Sequence, residues 1–342
     1  MNIKELAKIA GVSPATVSLV LNNKKGVGEE TRRHVNAVLE EYNYAIPKRT
    51  KSTPKNILFI KYIEQDLMIE ENFGFTAAVM DSIENDCRNF GYSLSILTSE
   101  NCLEETLQSI DFTLYQGLIL LGTELDFHTY PILEKIPIPY IVIDNKMPHM
   151  ECNCIALNNN EMIYKALSHL TALGHRKIAY FRSNKMTSNS EERKDSFLAA
   201  CEKCNLTYEP TNELLLAPTL LGAYQGMKEY LERSISLPSC AFADSDAIAI
   251  GAIKALKEYN YKIPEDISII GFDDIPFSAI NSPSLTTIAV PKKLIGSMAL
   301  RQLHTTIEDP TFQNIKIFVG GTIVVRESTK EWTGINNYKK ID

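Results

Sequence analysis

Several features are scarce or missing in this 342-residue chain. No apolar run approaches the ~18 residues that a membrane-crossing helix needs, so no membrane partner is expected. The N-terminus is a charged amphipathic segment without the apolar stretch of a signal peptide, and a cytoplasmic location is expected. Seven cysteines, an odd number, argue against a disulfide framework. Cys201 and Cys204 share a helical face, but no second Cys or His pair stands at zinc-site spacing, so neither a metal nor another cofactor is expected. The chain has one tryptophan, Trp332, and its six histidines are scattered. It contains no GxGxxG fingerprint, no P-loop and no GxSxG elbow, which removes the commonest dinucleotide, phosphate and serine-nucleophile chemistries.

What is present is unevenly distributed. The chain carries 35 Lys and Arg against 42 Asp and Glu. Residues 1–55 hold ten of the basic and five of the acidic groups, a net +5, which leaves 25 against 37, a net −12, for the rest. A basic head on an acidic body suggests a nucleic-acid contact confined to the head. With 44% apolar and 23% charged residues, the composition is that of an ordinary globular protein. The length suggests two or three folding units.

The head reads as three short helices, with apolar periodicity over Ile3 to Ala10, Pro14 to Leu21 and Glu29 to Tyr42. Asn2 and Glu5 have the spacing of a capping box. Gly11 supplies a tight turn, Ser13 an N-cap, and Pro14 sits at the first helical position, where its missing N–H costs nothing. Helices this short need a shared core. Leu6, Ile9, Ala10, Val12, Val17, Val20 and Leu21 are expected to form it with Val35, Val38 and Leu39. The product is a helix-turn-helix, which lays its second helix in the DNA major groove. One such helix reads few base pairs, so a homodimer on a near-palindromic double-stranded DNA operator is expected.

Residues 47–55 form a linker with Pro47 and Pro54 and four basic side chains. Its Lys48, Arg49 and Lys51 are suited to tracking phosphates as an extended arm. From Asn56 onward, short apolar runs alternate with amphipathic segments: NILFIKY, SLSILTS, GLILLG, PYIVID, KIAYF, ELLLA, CAFA and SIIGF. Apolar strands separated by helices indicate parallel sheets covered on both faces, a doubly wound α/β body. The runs fall into two sets on either side of Asn158 to Glu161, which implies two subdomains with a ligand cleft at the strands' carboxyl ends.

The string AGVSPATVSLVLNNKKGVGEETRRHV closely resembles the N-terminal motif of the lactose/galactose repressor family of bacterial transcription regulators. LTALGHRKIAYF, FADSDAIAIGAIKAL, IPEDISIIGFDDIPFSAINSPSLTTI and TIVVRES extend that resemblance across the body. It implies a head of residues 1–46, a linker of 47–55 and a periplasmic-binding-protein-like effector and dimerisation domain of 56–342. The body's chain would be split near 158, with further crossovers near 288 and 318. It also implies a regulator, more often a repressor than an activator, controlled by a saccharide or sugar derivative. The DNA-facing candidates are Ser13, Pro14, Ala15, Thr16, Ser18, Leu19, Asn22 and Thr31.

In the cleft, Asp273 matches the family's hydroxyl-binding aspartate and Arg193 its cleft arginine, with Asp274 more structural. Asp144 and Ser245 stand at strand ends, where Asp246 could equally cap the next helix. The chain departs from the family by having Val290 where a glutamine is frequent and Pro218 where an aromatic platform is frequent. Stacking against a sugar would then fall to Phe73, Tyr62 or Phe277. Two other classes compete: a helix-turn-helix fused to an enzyme acting on a small metabolite, and a sugar-binding protein that does not bind DNA.

Overall fold

The computed structural model describes residues 3–21, 26–42, 55–64, 74–100, 102–233 and 236–334. The chain divides into two compact units, Met1–Pro54 and Lys55–Asp342. In the first, α1 (Ile3–Ile9), α2 (Pro14–Leu21) and α3 (Glu29–Glu41) surround one small core. Gly11, at a φ of 62°, makes the left-handed turn after α1 that an L side chain would resist. The Ser13 hydroxyl accepts the Thr16 N–H at 3.0 Å, which starts α2 where the sequence placed an N-cap. The core holds Leu6, Ala7, Ala10, Val17, Val20, Val35, Val38 and Leu39. Ile9 is not among them and is 44% exposed. At 3.6 residues per turn it stands about 60° outside Leu6, on the side away from Ala10 and Ala7, and the small Ala7 takes the inward position instead. The expected cap at Asn2 lies outside the described residues.

The second unit runs β1 (Asn56–Ile63), α4 (Phe75–Phe90), β2 (Ser93–Glu100), α5 (Leu103–Ser109), β3 (Gly117–Leu121), α6 (Tyr130–Leu133), β4 (Tyr140–Ile143) and β5 (Asn153–Leu157). It continues through α7 (Asn159–Ala172), β6 (Lys177–Ser183), α8 (Ser188–Cys204), β7 (Thr207–Leu216), α9 (Leu220–Glu232), β8 (Cys240–Ala243), α10 (Asp246–Glu258), β9 (Ser268–Asp273) and α11 (Pro276–Ile280). It ends with β10 (Thr286–Ala289), α12 (Lys292–Glu308), β11 (Lys316–Val319) and β12 (Thr322–Val324).

Two six-stranded sheets result, ordered β11-β5-β4-β3-β1-β2 and β12-β10-β9-β8-β6-β7. The paired strands are parallel, as expected, except β10 with β12, which run antiparallel at the edge of the second sheet. The physical reason is the path of the chain. After β10 it returns to the first sheet, where α12 packs on α4 and β11 pairs with β5; it then re-enters the second sheet within a few residues, from the opposite direction. Gly296 allows the α12–α4 approach, since a Cβ there would lie 2.4 Å from the Val79 carbonyl oxygen.

The central strands β3, β5, β8 and β9 are buried on both faces, which is why they read as continuous apolar runs. In each sheet the strand order reverses beside the first strand of its set, β1 or β6, and a crevice opens at that switch point. The cysteines are free, and Cys152 and Cys154 pack in one apolar cluster. Among the described residues no helix is long and apolar enough to cross a membrane, and no group of three His, Cys, Asp or Glu side chains could hold a metal.

Candidate functional site

The carboxyl ends of β1, β3, β4, β6, β8 and β9 converge on one cleft, lined from the first sheet by Tyr62, Thr123 and Asp144 and from the second by Ser183, Asp244 and Asp273. α8 contributes Asn189 and Arg193. The chemistry is dominated by buried carboxylates. Asp273, 4% exposed, ends β9 at a φ of 111°. Its Oδ1 lies 3.9 Å from Arg193 Nη2, and its Oδ2 has no partner. Burial pushes its carboxyl upward, and the charges of Arg193 and Lys292 pull it part of the way back. Asp144, after β4, is equally buried; its Oδ2 accepts from the Thr123 hydroxyl at 2.6 Å and its Oδ1 has no partner. Burial raises it to about 6.

Arg193 Cζ sits over the Phe272 ring, 4.1 Å from its centroid, and the guanidinium donates to the Asp244 carbonyl at 2.5 Å. A guanidinium stacked in this way keeps its donor edge in a fixed direction. Asp244 accepts from the Tyr180 hydroxyl and, at 2.8 Å, from the Ser183 N–H, and burial raises it to about 6 as well.

The two sides of the cleft are joined along one rim. Asn189 donates to the Asp144 carbonyl at 3.0 Å, Ser188 to the Leu125 carbonyl at 3.0 Å, and Lys146 pairs with Glu192. The first turns of α8 therefore bond to the loops after β3 and β4, while Arg193, one turn further on, faces the interior.

In the head, Ser13, Pro14 and Ala15 are exposed and Thr16, Ser18, Leu19 and Thr31 half-exposed. Asn22, Lys48, Arg49 and Lys51 lie outside the described residues, as does Phe73.

Residues 2–46 match the bacterial regulatory proteins of the lacI family, and residues 167–329 match the periplasmic binding protein-like domain. The ribose operon repressor of Haemophilus influenzae is 30% identical over 332 residues, spanning 95% of this chain and 98% of that protein. The chain belongs to the lacI family. The HTH-type transcriptional repressor PurR of Aliivibrio fischeri, 31% identical over 95% of this chain and 97% of its own, is a second lacI-family relative. Among solved structures, the Lac repressor dimer bound to operator and the anti-inducer ONPF superposes with a TM-score of 0.72 at 22% identity, covering 96% of this chain and 99% of that one. These curated lacI-family relatives are transcription regulators.

Within this lacI-family body the cleft gathers Asp273, Arg193, Asp144, Ser245 and Tyr62 of the expected residues. Ser245 is already engaged: its hydroxyl caps α10 by accepting from Ile248 N–H at 3.3 Å. The alternative of Asp246 as the cap is therefore wrong. Asp246 is fully buried beneath β9 and accepts from Ile275 N–H at 3.0 Å, the Ser278 hydroxyl at 2.6 Å and the Thr287 hydroxyl at 2.5 Å. It braces the strand ends, in space that Gly271 leaves open.

Tyr62 is 4% exposed and packed into an apolar cluster, and burial, then Glu64, raises its hydroxyl to about 12. Phe277 does not line the cleft and is 42% exposed on α11, whereas Pro218 does line it. Val290 packs into the main core. Asp274 pairs with Arg326 at 2.7 Å, a structural tie. His175 bonds Ser239 Oγ at 2.8 Å and the Lys330 carbonyl at 3.2 Å; burial lowers it to about 4, and Trp332 stacks on it away from the cleft. Asp244, Asn189 and Thr123 line the cleft without having been expected there. Asp244 was signalled by its place after CAFA, directly before the Ser245 that was chosen; the other two carry no local pattern.

Proposed function

We propose that this lacI-family chain is a sequence-specific DNA-binding transcription repressor whose operator affinity is set by a small polyhydroxylated molecule, a saccharide or sugar derivative, held in the cleft. It acts in the cytoplasm as a homodimer on a near-palindromic operator, through binding and without turnover. The observation that carries the effector reading is the pair of buried, unpartnered carboxylate oxygens, Asp144 Oδ1 and Asp273 Oδ2, one from each side of the cleft. Leaving such atoms bare is costly, and hydroxyl donors satisfy them at full strength in a dry site. Arg193 adds a planar donor edge that suits vicinal hydroxyls or a ring oxygen.

A ligand donating to both carboxylates bridges the two sides of the cleft, and it shifts DNA affinity only insofar as it binds more tightly to one arrangement of those two sides than to another. The names of the relatives, a ribose operon repressor and an HTH-type transcriptional repressor, agree with the repressor assignment. The test is a thermal-shift screen of the full chain against sugars and nucleosides, followed by operator binding with and without each hit. A native-state ligand raises the melting temperature. Unchanged affinity for the hit in both Asp273→Asn and Arg193→Ala would place the site elsewhere, and turnover of the hit would establish the enzyme alternative.

A further inference from the structure

We infer that the first turn of α2 reads thymine through its 5-methyl group, with Pro14 and Ala15 as the contacting side chains. The inference rests on the operator-binding reading above and specifies what that reading leaves open, the base chemistry of the half-site. α2 consists of Pro-Ala-Thr-Val-Ser-Leu-Val-Leu. It holds no Arg, Lys, Asn or Gln, so the paired hydrogen bonds that single out guanine or adenine in the major groove are not available from it.

The structure removes most of the remaining candidates. Val17 and Val20 are buried in the head's core. Leu19 is half-exposed and its Cδ1 lies 3.8 Å from where a Cβ on Gly26 would stand, so part of its side chain is taken up against the segment that follows α2. The Ser13 and Thr16 hydroxyls bond each other at 2.9 Å, and Ser13 Oγ also takes the Thr16 N–H, so both are occupied in the helix cap. Serine and threonine hydroxyls, Ser18 included, distinguish bases poorly because they both donate and accept.

Pro14 and Ala15 remain: exposed, short, apolar, and at the N-terminal end of the recognition helix, the part that meets base edges. Among the four bases only thymine offers an apolar group in the major groove. Short side chains also let the helix approach closely enough to cover that methyl, and the fixed proline ring does so with little entropy to lose.

The experiment uses the full chain. Operator sequences are selected from random duplex DNA, and the thymines facing the first turn are then replaced singly by deoxyuridine, which keeps every hydrogen-bonding edge and removes only the methyl. Affinity is expected to fall roughly fourfold for each contacted methyl, the value of one buried CH₂ group. In the selection, Ala15→Arg should change the facing base to guanine. Undiminished binding to the uridine-substituted operator, or a selected half-site with G·C at those positions, would overturn the inference while leaving operator binding established. If no sequence is enriched at all, the operator-binding reading itself fails and takes the inference with it.

Discussion

The head buries a handful of apolar side chains and, among its described residues, no polar one, whereas the body buries Asp144, Asp244, Asp246 and Asp273. The head therefore keeps its candidate contacts on the outside, on a scaffold that holds only their direction. The body keeps them inside, where desolvation makes each carboxylate sensitive to its partners. Surface readout and buried readout thus place different demands on the same chain. The first tolerates change at the contacts and little in its small core; the second tolerates little at the contacts and more in its large cores.

The largest expected effect tests the first half of that contrast. Leu6→Ala should destabilise the head by about 2–5 kcal/mol, enough to unfold a unit with so small a core. DNA binding should be lost while ligand binding by the body is retained, measured by operator shift and ligand titration on the same preparation. Loss of both would show that the units do not fold independently.

Asp273→Asn tests the second half. Replacing a charge-assisted acceptor should cost about 1–3 kcal/mol of effector affinity and leave effector-free operator binding in place.

Next comes pH. Asp144 and Asp244 are raised to about 6 by burial, so the stability they contribute is present below about pH 4 and lost as pH rises through 6. A ligand that donates to a carboxylate favours its charged form. Effector affinity should therefore fall about tenfold for one coupled group between pH 7.5 and 5, with proton release visible by calorimetry in buffers of differing ionisation enthalpy. A flat profile would mean that the ligand does not engage these groups.

The smallest effect is at the head's cap. Ser13→Ala should cost about 1 kcal/mol of head stability and leave the body's melting unchanged.

Much of this was legible in the chain. Gly11, Ser13 and Pro14 announce a turn, a cap and a first helical residue because each acts through local backbone geometry. GLILL and CAFA announce buried strands because parallel sheets bury both faces. Ile9 misled because hydrophobicity alone does not say which side of a seven-residue helix faces in. Phe277 misled because aromatic identity says nothing of direction once a helix such as α11 has turned away from the cleft. Asp246 looked like a cap because it begins α10, yet three donors, Ile275 just before α11, Ser278 within it and Thr287 in β10, claim it, and they lie about thirty to forty residues along the chain.

By itself the sequence determined the local events of this protein: where helices start, where the chain turns, which runs must be buried, and where positive charge collects. These depend on neighbours within a few residues, so the chain carries them openly. The tertiary structure decided which strand ends meet, that Asp144 and Asp273 face one cleft with an oxygen each unpartnered, and that Asp244 joins them. It also decided that β12 returns antiparallel. These depend on packing between residues tens to more than a hundred positions apart, where the deciding quantity is the loss of water around a group, and no spacing in the chain encodes that directly.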